Sequence, residues 1–178
     1  MAPNSMSDDE FRRRSENIPL DPATLEPLGR FMWASVRLHY GLRDVLNLLG
    51  GFPSDDPFDH ETGKLSTKVQ DAASRQLKDN DLSGEQSAAL EAVMHWCETN
   101  RSRPDGAVYL RNRVIHAVPF TDSKGEQALR AHARQNPDER TVLTPEHIAP
   151  DTGRIGIADL ELSTLTEKIR NVQAQDLS

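Results

Sequence analysis

The stretch "DPATLEPLGRFMWASVRLHYGLRDVLNLLGG", residues 21–51, decides the architecture. Asp21 is a good N-cap, because its carboxylate accepts an orphan N–H of the first turn. Pro22 at the first helical position already has the helical φ. Leu25, Leu28, Met32, Leu42, Val45, Leu46 and Leu49 recur at helical spacings, and Gly50 and Gly51 close the run ahead of Pro53. Pro27 falls early enough to cost no more than a kink. The run predicts a helix of about 28 residues, the longest element of the chain. A helix of that length, apolar over more than one face, has to pack on two sides. That requires partner helices and leaves room for a second subunit.

Outward from this helix the chain alternates loops and helical runs. "FPSDDPFDHETG", residues 52–63, is a loop by its Pro, Asp and Gly content. Its acidic cluster with His60 lacks the spacing of a Ca²⁺ or Zn²⁺ motif, so neither metal nor cofactor is expected. A second helix is expected over Lys64 to Lys78, with Leu65, Val69, Ala72, Ala73 and Leu77 as its inner stripe. "SGEQ", residues 83–86, is a capping box that opens a third helix to about Thr99. Leu90, Val93, Met94 and Cys97 follow the helical period there. After the turn "NRSRPDG", residues 100–106, "AVYLRNRVIHAV" reads as a fourth helix until Pro119 stops it. Between Phe120 and Pro150 the period is lost, and "EQALRA" and "RTVLT" flanking "HARQNPDE" predict a small β-hairpin. A last helix is expected over 158–174, with Leu162, Leu165, Ile169 and Val172 inward.

The fold class is therefore mainly α: a bundle of four to five helices with a small irregular or β-hairpin appendage after residue 120. Residues 1–18 read as a polar, flexible leader. Residues 19–178 form one domain, with a bundle core at 20–119, the appendage at 120–157 and the closing helix at 158–174. In a chain of 178 residues, 36% are hydrophobic and 28% charged, which suits one domain burying a core without disulfides or metals. No apolar stretch approaches the ~18 residues of a membrane span, and the start carries no apolar signal region. The lone Cys97 fits a reducing compartment and, lying within an apolar period, a packing role, so a cytoplasmic protein is expected.

A formal charge of −7 argues against a protein that coats DNA non-specifically. Between Cys97 and Arg134 the sign reverses. Seven cations (Arg101, Arg103, Arg111, Arg113, Lys124, Arg130, Arg134) face four anions, a local +3 against −10 for the rest. Such an imbalance is either a solvated face or a surface for phosphates. Within it Arg111 is out of place. On a helical wheel at ~100° per residue, Ala107, Val108, Leu110, Val114, Ile115 and Val118 all fall within about 100° of Arg111, while Tyr109, Asn112, Arg113 and His116 lie on the other side. A guanidinium on an apolar face needs acceptors for its five donors. It either reaches past its neighbours to solvent, or pairs with a carboxylate such as Asp44, or waits in a cleft or subunit interface for a phosphate. His116 stands about 140° around the helix from Arg111, so the two converge only by side-chain reach or through a second copy.

"RNRVIH", Arg111 to His116, resembles the R-N-x-x-x-H signature of HEPN domains, α-helical bundles that often act as metal-independent endoribonucleases in toxin–antitoxin and phage-defence systems. The long first helix, the loop into a second, and two further helices with the motif on the last resemble that bundle over roughly residues 20–120. The resemblance implies a homodimer through the first and motif helices, with a composite active site, an RNA substrate and an antitoxin or defence partner. It makes His116 the general acid or base, has Arg111 stabilise charge on the phosphate, and has Asn112 orient His116 or the phosphate. Arg113, Arg101 and Arg103 are the candidate RNA contacts. Val118 stands where one antitoxin-paired group carries a tyrosine, so a tyrosine-modification switch is not expected. The alternative is a non-catalytic helical dimerisation or interaction module in which Arg111 is structural.

Overall fold

Asp21 caps the first helix as its sequence requires: its Oδ1 accepts the Thr24 backbone N–H at 2.7 Å, and α1 runs from Pro22 to Leu48. Gly50, at φ 70°, provides the left-handed turn that ends it, and the Gly51 N–H returns to the Leu46 carbonyl at 2.9 Å. The computed structural model describes residues 21–51, 61–79, 82–121, 127–132 and 140–175. The expected leader, most of the 52–63 loop with its acidic cluster, and Lys124 and Arg134 lie outside the described residues. α2 spans Thr62–Asp79, α3 Gly84–Ser102 and α4 Ala107–Ile115. Both halves of the α3 capping box are made, Gln86 N–H to Ser83 Oγ and Ser83 N–H to Gln86 Oε1.

Three antiparallel strands follow: β1 Val118–Thr121, β2 Gln127–His132 and β3 Arg140–Leu143, in the order β1-β2-β3. The expected hairpin is β2 with β3, with Leu129 opposite Leu143 and His132 opposite Arg140. α5, Pro145–Gln175, closes the chain. The molecule is thus a mainly helical bundle with a small β appendage, as the sequence implied.

Three boundaries differ from expectation, each for a local reason. The fourth helix closes at Ile115 and does not reach Pro119, because a proline holds its preceding residue extended. Val118 therefore enters β1, and Pro119 is tolerated there because β1 is an edge strand. The closing helix begins at Pro145, well before residue 158. Thr144 and Pro145 repeat the cap logic of Asp21 and Pro22, and the Thr144 carbonyl accepts from His147 N–H and Ile148 N–H. Pro150, Gly153 and Gly156 disguise the first turns of α5 in the sequence; all three are exposed, and Pro150 sits where only one N–H is lost.

The core joins Phe31, Leu38 and Leu42 of α1 to Leu65 and Val69 of α2, Val93 of α3, Leu110 of α4 and Ile155 and Leu162 of α5, all almost fully buried. Each contributes about 1.5–3 kcal/mol by leaving water. Cys97 is buried among them as expected. Burial pushes its thiol up to about 11, against the pull of the Ser66 hydroxyl and Arg101, so it stays a neutral packing group. α1 and α5 run parallel: Arg37 pairs with Asp159, Gly41 abuts Leu162, and the Gln173 amide donates to the Leu48 carbonyl. Leu25 and Met32, expected in the inner stripe, instead point outward, 54% and 42% exposed. No helix among the described residues is long and apolar enough to cross a membrane.

Candidate active site

The turn before α4 aims the motif. Asn100, buried near the end of α3, donates from Nδ2 to the Trp96 carbonyl at 3.1 Å and accepts the first α4 N–H, that of Ala107, at 3.1 Å. Gly106 is compulsory at this crossing, since a Cβ there would stand 2.4 Å from the Asn100 carbonyl oxygen. α4 then buries Ala107, Val108, Leu110 and Val114, the stripe that the wheel indicated.

Arg111 lies at the edge of this stripe, half-buried. Its Nη1 donates to Asn112 Oδ1 at 3.0 Å, while its Nε is buried with no hydrogen-bond partner among the described residues. Burial lowers the guanidinium below its ordinary pKa, and the Glu61 carboxylate raises it in part. The carboxylate that influences Arg111 is therefore at the head of α2, and is not Asp44 of α1. Asn112 lies close to the same α2 head: a Cβ on Gly63 would stand 3.5 Å from Asn112 Nδ2. Next to Gly63, Thr62 Oγ1 is 3.2 Å from His39 Nδ1, and His39 meets Tyr40 edge-on at 6.0 Å. The first turn of α2 thus links His39 and Tyr40 of α1 to the motif. Sequence reading missed Thr62 and Gly63, and Glu61 just ahead of them, because the helix begins at Thr62, three residues before the apolar stripe starts at Leu65.

His116 is not brought to Arg111. It caps α4 at its C-terminal end, with φ −94° and ψ 4°, its backbone N–H on the Asn112 carbonyl and its side chain exposed. The expected side-chain contact between Asn112 and His116 is absent among the described residues, because Asn112 turns to Arg111. The other basic candidates have separate fates. Arg113 pairs with Asp151 of α5, side chains 27% and 6% exposed, with Arg154 on the same carboxylate at 3.8 Å. Arg101 donates to Thr67 Oγ1 and Gln70 Oε1, tying α3 to α2. Arg103 caps α3 and is exposed. Asp151 escaped notice because "APDTG" reads as loop. The Thr144-Pro145-Glu146 start was the signal that the helix already covers it.

The Arg113–Asp151 pair is an anchor, and its loss should be felt. Asp151→Ala strands a mostly buried guanidinium, and the expected cost is about 3 kcal/mol, seen as a lower denaturant midpoint with an unchanged slope.

A cavity of about 300 Å³ bordered by Gln76, Leu82, Leu90 and Ile169 contains none of the motif's side chains. It lies about 20 Å along α2 from Thr62. No cluster of three metal-ligating side chains occurs among the described residues. What the geometry offers chemically is an under-partnered cation, an amide fixed to it, and a free imidazole one turn further on. Comparison of the chain with protein-family models, with curated proteins and with solved structures returned no match.

Proposed function

We propose that the chain is a metal-independent endoribonuclease of toxin or defence type. The observation that carries this reading is Arg111: among the described residues, a half-buried guanidinium whose one hydrogen bond goes to a neutral amide and whose buried Nε has no partner. A structural arginine is normally paired with a carboxylate, as Arg113 is although its Nε too is buried without a partner among the described residues, whereas the one hydrogen bond of Arg111 goes to a neutral amide. Asn112 holds one arm of the fork and leaves the rest for phosphate oxygens. His116, exposed at the end of α4, exchanges the protons.

In the reaction, a ribose 2′-oxygen attacks the adjacent phosphorus as its proton passes to a base. The bond to the 5′-oxygen breaks, and that oxygen receives a proton. The products are a 2′,3′-cyclic phosphate and a 5′-hydroxyl. Arg111 stabilises the charge that grows on the non-bridging oxygens. Because Arg111 and His116 diverge within one chain, the composite site of a homodimer, Arg111 from one protomer and His116 from its partner, accounts for their placement. The working location is the cytoplasm, with RNA as substrate and an antitoxin or defence protein as partner.

The second reading, a non-catalytic dimerisation or interaction module, is favoured by Arg113 and Arg101, which are committed to protein partners and are not presented to a nucleic acid. Incubating the purified protein with mixed tRNA and mRNA in excess EDTA separates the two readings. The nuclease reading expects undiminished cutting that leaves cyclic-phosphate ends. A folded dimer that cuts nothing, or cutting abolished by the chelator, overturns it.

A further inference from the structure

We propose that the cavity at the far end of α2 from the motif is a binding site for a small organic amine, an apolar body carrying a protonated amino head. Its volume of about 300 Å³ lies at the lower end of the ~300–1,000 Å³ of small-molecule sites, and holds roughly ten groups the size of a methylene or a water. Three elements build it. Gln76 comes from α2, Leu82 and Leu90 from α3 and the residue ahead of its cap, and Ile169, Val172 and Gln173 from α5. The apolar side chains form a wall for the body of a ligand, and Ala89, 2% exposed, is the small residue that leaves the wall hollow. No charged side chain is among the described residues of this lining, in a chain that is 28% charged. The site shares no residue with the motif, so it stands apart from the RNA reading.

The polar groups select the head. Gln76 Nε2 donates to the Leu49 carbonyl at 3.0 Å, and Gln173 Nε2 to the Leu48 carbonyl at 3.1 Å. Consecutive carbonyls at the end of α1 thus fix both amides with the nitrogen toward the backbone, which leaves each Oε1 as the atom able to accept. Among the described residues neither oxygen receives a hydrogen bond, and neither is buried out of reach. Two acceptors seated on consecutive carbonyls suit an ammonium, which has three donors and no acceptor. The backbone favours the same sign. α1 ends at Leu48 and α5 at Gln175, and the last turn of neither holds a basic residue, so the partial negative charge at these helix ends has no cation beside it within its own helix. α2 ends at Asp79 with Lys78 in its last turn. The helix that begins here, α3, has its positive end closed by the capping box and by Glu85. A carboxylate on the same body would meet two amide oxygens and the C-termini of two helices, and would be repelled.

The test is an NMR titration of the full chain with phenethylamine and, as an anion on the same body, hydrocinnamate. Wild type is expected to bind the amine with a dissociation constant of about 1 mM or tighter, within reach of a ligand of this size. It should prefer the amine to the carboxylate by roughly 10-fold or more, the worth of one charge-assisted hydrogen bond. Ala89→Leu fills the hollow without altering charge. It should weaken the amine by roughly 10-fold or more with an undiminished melting temperature, which sets binding in the cavity apart from the general attraction of a cation to an acidic protein. Gln173→Leu should leave the seat of the body intact and bring the two probes to within about 3-fold of each other. If Ala89→Leu melts early, Gln173→Leu decides alone, and an amine preference that it keeps in full overturns the proposal. Wild type that does not bind the amine overturns it too, as does a carboxylate bound as tightly as the amine or an affinity that both variants leave unchanged.

Discussion

Replacing His116 with alanine is expected to slow RNA cleavage by roughly 10²–10⁴-fold, the usual contribution of a positioned acid or base, with the fold untouched. The side chain is exposed, and among the described residues its ring makes no hydrogen bond. Only its backbone N–H is used, and alanine keeps that. Thermal melting should therefore move by a few degrees at most while single-turnover cleavage collapses. If cleavage by the variant equals that of the wild type, His116 has no part in the chemistry and the nuclease assignment of this motif fails.

Arg111→Met should separate function from stability in the opposite way to an ordinary buried arginine. In a structural ion pair, removing the cation strands a carboxylate and costs several kcal/mol. Here the nearest hydrogen-bond partner is the neutral Asn112, and burial already works against the charge. Methionine covers the same apolar neighbours, Ala107, Val114 and Ile115, without a desolvated donor. The expected outcome is cleavage reduced by about 10²–10³-fold, as for a removed oxyanion donor, with a melting temperature equal to or above that of the wild type. Arg111→Ala should be destabilised only by its lost packing, so it should melt below Arg111→Met. A large drop in stability for both variants, with RNA cleavage absent throughout, would establish Arg111 as a structural residue and favour the interaction module.

The architecture was legible where local chemistry and burial agree. Asp21 with Pro22, the Ser83–Gln86 box and the pattern of Leu65, Val69 and Val93 each specify an element that the packing then uses. The β2–β3 hairpin was legible for the same reason, since Leu129 and Leu143 meet on one face. Where two signals conflict, reading fails. Pro150, Gly153 and Gly156 are poor helix formers, yet the cap at Thr144 and the burial of Ile148, Asp151 and Ile155 outweigh them. The wheel placed Arg111 correctly at the apolar edge of α4, but its surroundings come from elsewhere in the chain. Glu61 acts on it and Gly63 lies near Asn112 through tertiary packing, which no spacing within the motif encodes. Leu25 and Met32 were misplaced because periodicity reports that a face is apolar and does not say which of two apolar faces looks inward.

The parallel seating of α1 on α5 also sets the order of events during synthesis. α1 leaves the ribosome early, but Gly41 rests on Leu162 and the last carbonyls of α1 are capped by the Gln76 and Gln173 amides. At 5–20 residues per second, α5 follows on the order of 10 s later, and until then α1 lacks the α5 share of its cover. A nascent chain that ends before Pro145 holds the complete "RNRVIH" motif with neither the Asp151 anchor for Arg113 nor a closed bundle.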